Sequence, residues 1–188
     1  MSIVILDDVI SKEYQDYLET LLIDNPEMAW HLIKDLDHEV SSVKRTSSVG
    51  LSIQAITDGK EHGMLALIFK SLCYAMAEKL NIKVGGVLTA RAFLQMPNNL
   101  SNTMSYHVDH LRPHKVLLYY VTESDGNTII LKQRYPFSYN KVSGLKTGEV
   151  VQEITPKKGR VVLFDGSHFH ASSVPTTDLR CVININII

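Results

Sequence analysis

Val161-Val162-Leu163-Phe164-Asp165-Gly166-Ser167-His168-Phe169-His170-Ala171 reads as a buried strand, a tight turn and then two histidines. Ten residues past His170 stands Arg180, which opens the terminal run Arg180-Cys181-Val182-Ile183-Asn184-Ile185-Asn186-Ile187-Ile188. Alternate residues of a strand share a face. Cys181, Ile183, Ile185 and Ile187 therefore fall on one side, and Arg180, Val182, Asn184 and Asn186 on the other. A polar face on so apolar a strand either meets solvent or lines a polar cavity.

Upstream, back to Gly86, the texture is the same. Short β-rich runs cover residues 87–96, 104–109, 115–122, 127–132, 149–154 and 160–164. Turn signals separate them: Pro97-Asn98-Asn99, Asp125-Gly126, Ser143-Gly144 and Asp165-Gly166 among others. No helical periodicity interrupts the series, so an antiparallel sandwich or barrel is expected. Residues 1–85 read differently. Residues 3–6 look like a short strand, and Ser11 can cap a helix to about Ile23 with Tyr14, Leu18, Leu21 and Leu22 on one face. A longer helix is expected over residues 61–80, where Leu65, Ile68, Phe69, Leu72, Cys73, Met76 and Leu80 form an apolar stripe. Asn81 closes it. The expected fold is mainly β with flanking helices, in one domain: residues 1–85 supply helices and supporting strands, and residues 86–188 the barrel.

The chain has 188 residues, 45% apolar and 21% charged, with a net charge of −1, which suits one globular core. Near-neutral charge argues against nucleic-acid binding by bulk electrostatics, and so against a nucleobase-modifying enzyme. Two distant cysteines, Cys73 and Cys181, supply neither a disulfide framework nor a thiolate zinc site, so a reducing compartment is expected. The N-terminal run Ile3-Val4-Ile5-Leu6 is too short for a signal peptide, and no run approaches a membrane span. A cytoplasmic protein is expected.

Five of the eight histidines lie in the β-rich region. In His107-Val108-Asp109, strand spacing would aim imidazole and carboxylate the same way, as two ligands of a facial triad that leaves open positions on non-heme Fe(II). Alone the pattern is weak, because chance supplies roughly one such triplet in a chain of this composition. His107 and Asp109 gain weight from the downstream histidines and Arg180, whose guanidinium can grip a carboxylate bidentately.

These segments resemble the Fe(II)- and 2-oxoglutarate-dependent oxygenases, in particular their prolyl 4-hydroxylase-like branch. The pieces, in order, are His107-Val108-Asp109, Leu117-Leu118-Tyr119-Tyr120-Val121, Asp125-Gly126-Asn127-Thr128, Pro156-Lys157-Lys158-Gly159-Arg160, and His170 followed by Arg180. They span a little over half the chain. The resemblance implies a double-stranded β-helix, a jelly-roll or cupin-like barrel. It implies that His107, Asp109 and His170 ligate Fe(II), that Arg180 binds the distal carboxylate of the cosubstrate 2-oxoglutarate, and that Tyr120 and Asn184 assist there. A small-molecule or peptidyl substrate would react with dioxygen, releasing succinate and CO2. The retained Asp109 carboxylate implies hydroxylation, since the related halogenases carry a small residue there. The competing reading is a non-catalytic cupin-like barrel that binds a small acid or a metal.

Several assignments stay open on the sequence. His168 has the strand parity of His170 and competes as third ligand, although the Asp-Gly-x-x-x-His spacing and the step to Arg180 favour His170. Only one of Tyr119 and Tyr120 can face a cavity, and Tyr120 rests on the resemblance. Arg91 and Gln95 share a face of the first barrel strand and either contact substrate or are solvated. His110 and His114 read as loop residues because Pro113 opposes a helix. Trp30 and Cys181 read as packing residues, and Lys157-Lys158 as a turn charge pair. The loops over residues 96–106 and 133–148 are expected to shape the substrate pocket.

Overall fold

The computed structural model describes residues 3–33, 50–98, 106–136 and 147–188. Strand β1 (Val4–Leu6) leads into helix α1 (Lys12–Glu19), whose first turn is closed where the Ser11 hydroxyl accepts from the Tyr14 amide at 3.3 Å. The helix then widens into one π-helical turn, Thr20–Asp24, before Asn25-Pro26 stops it. Trp30 Nε1 donates to the Leu22 carbonyl in that turn at 3.1 Å, so the single tryptophan braces a helix end.

Strands β2 (His31–Ile33), β3 (Gly50–Thr57) and β4 (Lys60–Glu61) precede helix α2 (Gly63–Lys79). The helix begins two residues later than the expected start at residue 61. Asp58 and Gly59 both take positive φ, 48° and 79°, the two-residue geometry that matches strand twist, and β4 folds back on β3 with Ile56 opposite Glu61. Asn81, also at positive φ, ends α2 as expected, with the Ile82 amide returning to the Ala77 carbonyl at 3.0 Å.

The remaining strands are β5 (Val87–Gln95), β6 (Lys115–Tyr120), β7 (Thr128–Arg134), β8 (Val150–Ile154), β9 (Val161–Asp165), β10 (His168–Ser172) and β11 (Arg180–Ile187). The larger sheet runs β1-β9-β6-β11-β5-β3-β2, with β4 on β3, and the smaller runs β10-β7-β8. All these pairings are antiparallel. The outer face of the large sheet carries Cys181, Ile183, Ile185 and Ile187 against Phe69, Leu72, Cys73 and Met76 of α2, all buried. Between the sheets lie Val116, Leu118, Ile130, Val162, Phe164 and Val182. β11 thus splits its alternation between two cores, and its polar side chains turn inward.

Residues 106–109 correct the expectation of a strand over 104–109, whose first two residues lie outside the described part. His107 makes only one bridge, exchanging backbone hydrogen bonds with His170 at 3.0 and 2.9 Å. A bend follows, closed where the Arg112 amide donates to His110 Nδ1 at 3.1 Å. His110 also lies 3.1 Å from Asp58, and buried His114 is held by the Arg112 carbonyl at 2.7 Å, so both serve the loop.

Gly166 sits in the turn between β9 and β10. A Cβ there would meet the His114 ring at 2.2 to 2.5 Å, and that ring is buried. Gly166→Ala is expected to lower stability by about 1–3 kcal/mol through overpacking, read as a fall in Tm. An unchanged Tm would show that the ring yields freely.

Among the described residues, no helix is long and apolar enough to cross a membrane. Lys157 pairs with Asp7 at 3.0 Å, and Lys158 reaches Asp16 and Glu19 on α1, which accounts for both lysines as local ion pairs.

Candidate metal centre

Cross-strand register builds the site on the inner face of the large sheet. One row holds Gly50, Gln95 and Arg180; the next Ser52, Phe93 and Val182; the third Gln54, Arg91 and Asn184. Two polar rows thus flank an apolar one. Over them lie His170 and Ser172 from β10 and Thr128 from β7, with His107 held above by its bridge. Together they enclose a cavity of about 300 Å³, at the small end of ligand pockets.

At one end His107, Asp109 and His170 bring three ligand atoms within 4.8 Å of one another. Asp109 Oδ1 is 3.6 Å from His107 Nε2, and Oδ2 is 3.6 Å from His170 Nε2, too far for hydrogen bonds. His170 Nδ1 donates to the His168 carbonyl at 3.0 Å, which leaves Nε2 as the atom turned to the cluster. That Nε2 is buried and has no hydrogen-bond partner. An orphaned imidazole nitrogen beside a buried carboxylate fits a bound cation, and two imidazoles with one carboxylate suit a divalent transition metal.

The Asp109 side chain has no solvent exposure. Burial alone would raise its pKa. His170, His107 and the Arg91 guanidinium outweigh burial and hold it well below the usual carboxylate range. Conversely, burial would depress His170, but the Asp109 carboxylate raises it. The outer lone pairs of Asp109 are occupied: Arg91 Nη2 donates to Oδ1 at 3.1 Å and Asn184 Nδ2 to Oδ2 at 3.0 Å. Asn184, expected beside the cosubstrate, lines the cavity and donates to this carboxylate.

At the opposite end Arg180 is buried. Its Nε donates to the Gly126 carbonyl, Nη1 to Gln95 Oε1 and Nη2 to Thr128 Oγ1, each at 2.8 Å. Three of its five N–H groups are bonded in this way, and they orient the fork. Gly126 is required by contact, since a Cβ there would meet Arg180 Cδ at 2.9 Å and the Ser173 carbonyl at 3.1 Å. Tyr120 lies beneath the cavity, not in its wall, and donates to Thr128 Oγ1 at 2.7 Å. Tyr119 points to the other face, into the helix-side core.

Of the competing histidines, His170 joins the cluster. His168 turns its Nδ1 to the Leu131 carbonyl at 2.6 Å. Gln95 and Arg91 line the cavity and are not simply solvated. Thr128 and Gln95 were not singled out as partners of Arg180. Thr128 stands in the Asp-Gly-x-Thr piece, but only register shows Gln95 opposite Arg180. Much of the two expected pocket loops, residues 99–105 and 137–146, lies outside the described residues.

No family model matches this sequence, and no curated protein matches it. Solved structures do match. An oxidoreductase of the 2OG-Fe(II) oxygenase family from Burkholderia pseudomallei superposes with TM-score 0.68 at 9% identity, covering 98% of this chain and 84% of that one. A prolyl-4-hydroxylase from Pseudomonas putida gives 0.61 at 13% identity, covering 98% and 91%. A Trichoplax adhaerens prolyl hydroxylase, in complex with a peptide fragment of the hypoxia inducible factor oxygen degradation domain, gives 0.59 at 18% identity, covering 99% and 83%. The chain therefore has the double-stranded β-helix fold of the 2OG-Fe(II) oxygenases.

Proposed function

We propose that the protein is an Fe(II)- and 2-oxoglutarate-dependent dioxygenase that hydroxylates a C–H bond, prolyl-hydroxylase-like, with release of succinate and CO2. The observation that carries this reading is the pairing of the His107, Asp109 and His170 cluster with the buried Arg180 fork at opposite ends of one cavity. The fold shared with oxygenases supports it.

When bound, the metal and the 2-oxo acid supply the oxidising chemistry. The chain supplies geometry and shielding. His107, Asp109 and His170 would hold the cation from one side, leaving the cavity side open. Asn184 and Arg91 orient the Asp109 carboxylate, and the His168 carbonyl orients His170, the outer-shell support that metal ligands need. Arg180 would grip the distal carboxylate of 2-oxoglutarate. Gln95 and the Gly126 carbonyl position that fork, while Tyr120 positions Thr128. Val182 and Leu118 form the apolar floor between the two ends and exclude water from the reacting centre.

The test is spectroscopic. Anaerobic addition of Fe(II) and 2-oxoglutarate is expected to give a weak visible charge-transfer band, and admission of oxygen with substrate to give succinate. A folded protein with no band and no stabilisation by 2-oxoglutarate would leave a non-catalytic barrel as the better reading.

A further inference from the structure

The cavity has a second lobe that the proposed cosubstrate does not use. The span from the metal cluster to Arg180 runs along β11, over Val182 and under Thr128. Beside that span the wall continues across β5 and β3, through Arg91, Phe93, Ser52 and Gln54, and this flank makes the second lobe. We propose that Arg91 anchors a carboxylate of the substrate in this lobe, so that the molecule oxidised is a small carboxylic acid and not an internal residue of a peptide. The inference rests on the dioxygenase reading above and names the substrate class for that same site.

Three observations lead to it. First, the Arg91 guanidinium is fixed from two sides: its Cζ lies over the Phe93 ring, 4.6 Å from the centroid, and only Nη2 is committed, to Asp109. Among the described residues Nη1 makes no hydrogen bond, and the buried Nε has no partner. A fork fixed in this way, with unused N–H groups, matches a planar carboxylate better than a lone carbonyl. Second, the charges do not balance without such a group. Among the described residues, the cavity wall carries two guanidinium groups, Arg91 and Arg180, and one carboxylate, Asp109. A divalent cation and a 2-oxoglutarate dianion cancel each other, and Arg180 is taken by the cosubstrate. One net positive charge then remains in the cavity, and Arg91, 21% exposed and with one N–H given to Asp109, is the guanidinium left open to an anion. Third, the lobe is mixed in the way a small acid requires, with Phe93 and Ile33 for a carbon skeleton and Ser52 for a further polar group. At about 300 Å³ for both lobes together, the volume suits a compact molecule.

The experiment uses the full chain loaded with Mn(II) and 2-oxoglutarate under anaerobic conditions. Small amino and hydroxy acids, each paired with its primary amide, are titrated into it by calorimetry. The acids are expected to bind about 10- to 100-fold more tightly than their amides, as one charge-assisted contact allows. In Arg91→Gln, Asn184 still donates to Asp109 at 3.0 Å, so at saturating Mn(II) the variant is expected to load metal and 2-oxoglutarate yet lose the preference for acids. Arg91→Lys should retain part of it. If the wild-type protein fails to load, the dioxygenase reading fails first and takes the anchor with it. If loading succeeds but acids and amides behave alike, whether both bind or neither does, the anchor is overturned while the dioxygenase reading stands. Loss of Mn(II) loading in Arg91→Gln would confine Arg91 to its positioning of Asp109. Loss of 2-oxoglutarate affinity would assign it to the cosubstrate. Either result overturns the proposal.

Discussion

His170→Ala is expected to abolish both 2-oxoglutarate-dependent turnover and the anaerobic charge-transfer band while leaving a cooperative thermal unfolding transition. On the proposed reading the imidazole would contribute a ligand atom that no neighbour replaces, because His168 is turned to the Leu131 carbonyl. Loss of an outer-shell partner costs metal affinity about 10- to 100-fold, and loss of a ligand should exceed that. The fold should survive, since Asp109, the buried charge left behind, keeps Arg91 at 3.1 Å and Asn184 at 3.0 Å. The vacated space borders Phe164 and His107, whose rings lie 5.0 and 4.8 Å from that of His170. Asp109→Ala should abolish turnover as well, with Arg91 and Asn184 then lacking their shared acceptor. Wild-type turnover in either variant would remove that residue from the centre.

How much of this was legible in the sequence depends on whether a residue acts through its neighbours in the chain or across strands. The alternation of β11 is a local property. Cys181, Ile183, Ile185 and Ile187 on one face, with Arg180, Val182 and Asn184 on the other, follow from a period of two and survive unchanged. The His107–Asp109 pair was legible for a different reason than supposed. A strand was expected to align the two side chains, whereas a single bridge to His170 holds His107 and a bend brings Asp109 under it. Turn chemistry at Asp58-Gly59 was overlooked beside the strong apolar stripe of α2, which displaced the expected helix start. The supporting shell is a matter of register. Arg91 reaches Asp109, and Gln95 reaches Arg180, only because β5 and β11 pair with Arg91 opposite Asn184 and Gln95 opposite Arg180. No local pattern encodes that offset. Asn184 illustrates the same limit: alternation gives its face, but its partner there, the Asp109 carboxylate, is brought to it by the bend after His107.

Arg180→Met is expected to weaken 2-oxoglutarate binding far more than it slows turnover at saturation. The guanidinium is locked by the Gly126 carbonyl, Gln95 and Thr128 at 2.8 Å each, so its orientation is set before any ligand arrives. A pre-oriented fork loses little entropy on binding a carboxylate. Two charge-assisted hydrogen bonds at about 1.5–3 kcal/mol each correspond to a loss on the order of 100-fold or more in affinity. Titration of the charge-transfer band against 2-oxoglutarate measures this directly. Fe(II) binding should persist, because the cluster stands at the other end of the cavity. Arg180→Lys separates charge from shape: it keeps a cation but not the planar fork, and so should fall between wild type and Arg180→Met. Thr128→Val gives a further check on the mechanism of positioning. It removes the one acceptor that both Tyr120 and Arg180 use, leaving two buried donors unpaired, and should weaken cosubstrate binding less than the arginine variants. Equal 2-oxoglutarate affinity in wild type and Arg180→Met would show that the guanidinium is structural, and the cavity would then need another cation to hold a dicarboxylate. Among the described residues of its wall, Arg91 is the remaining one, which would set the Arg180 and Arg91 assignments against each other in a single pair of titrations.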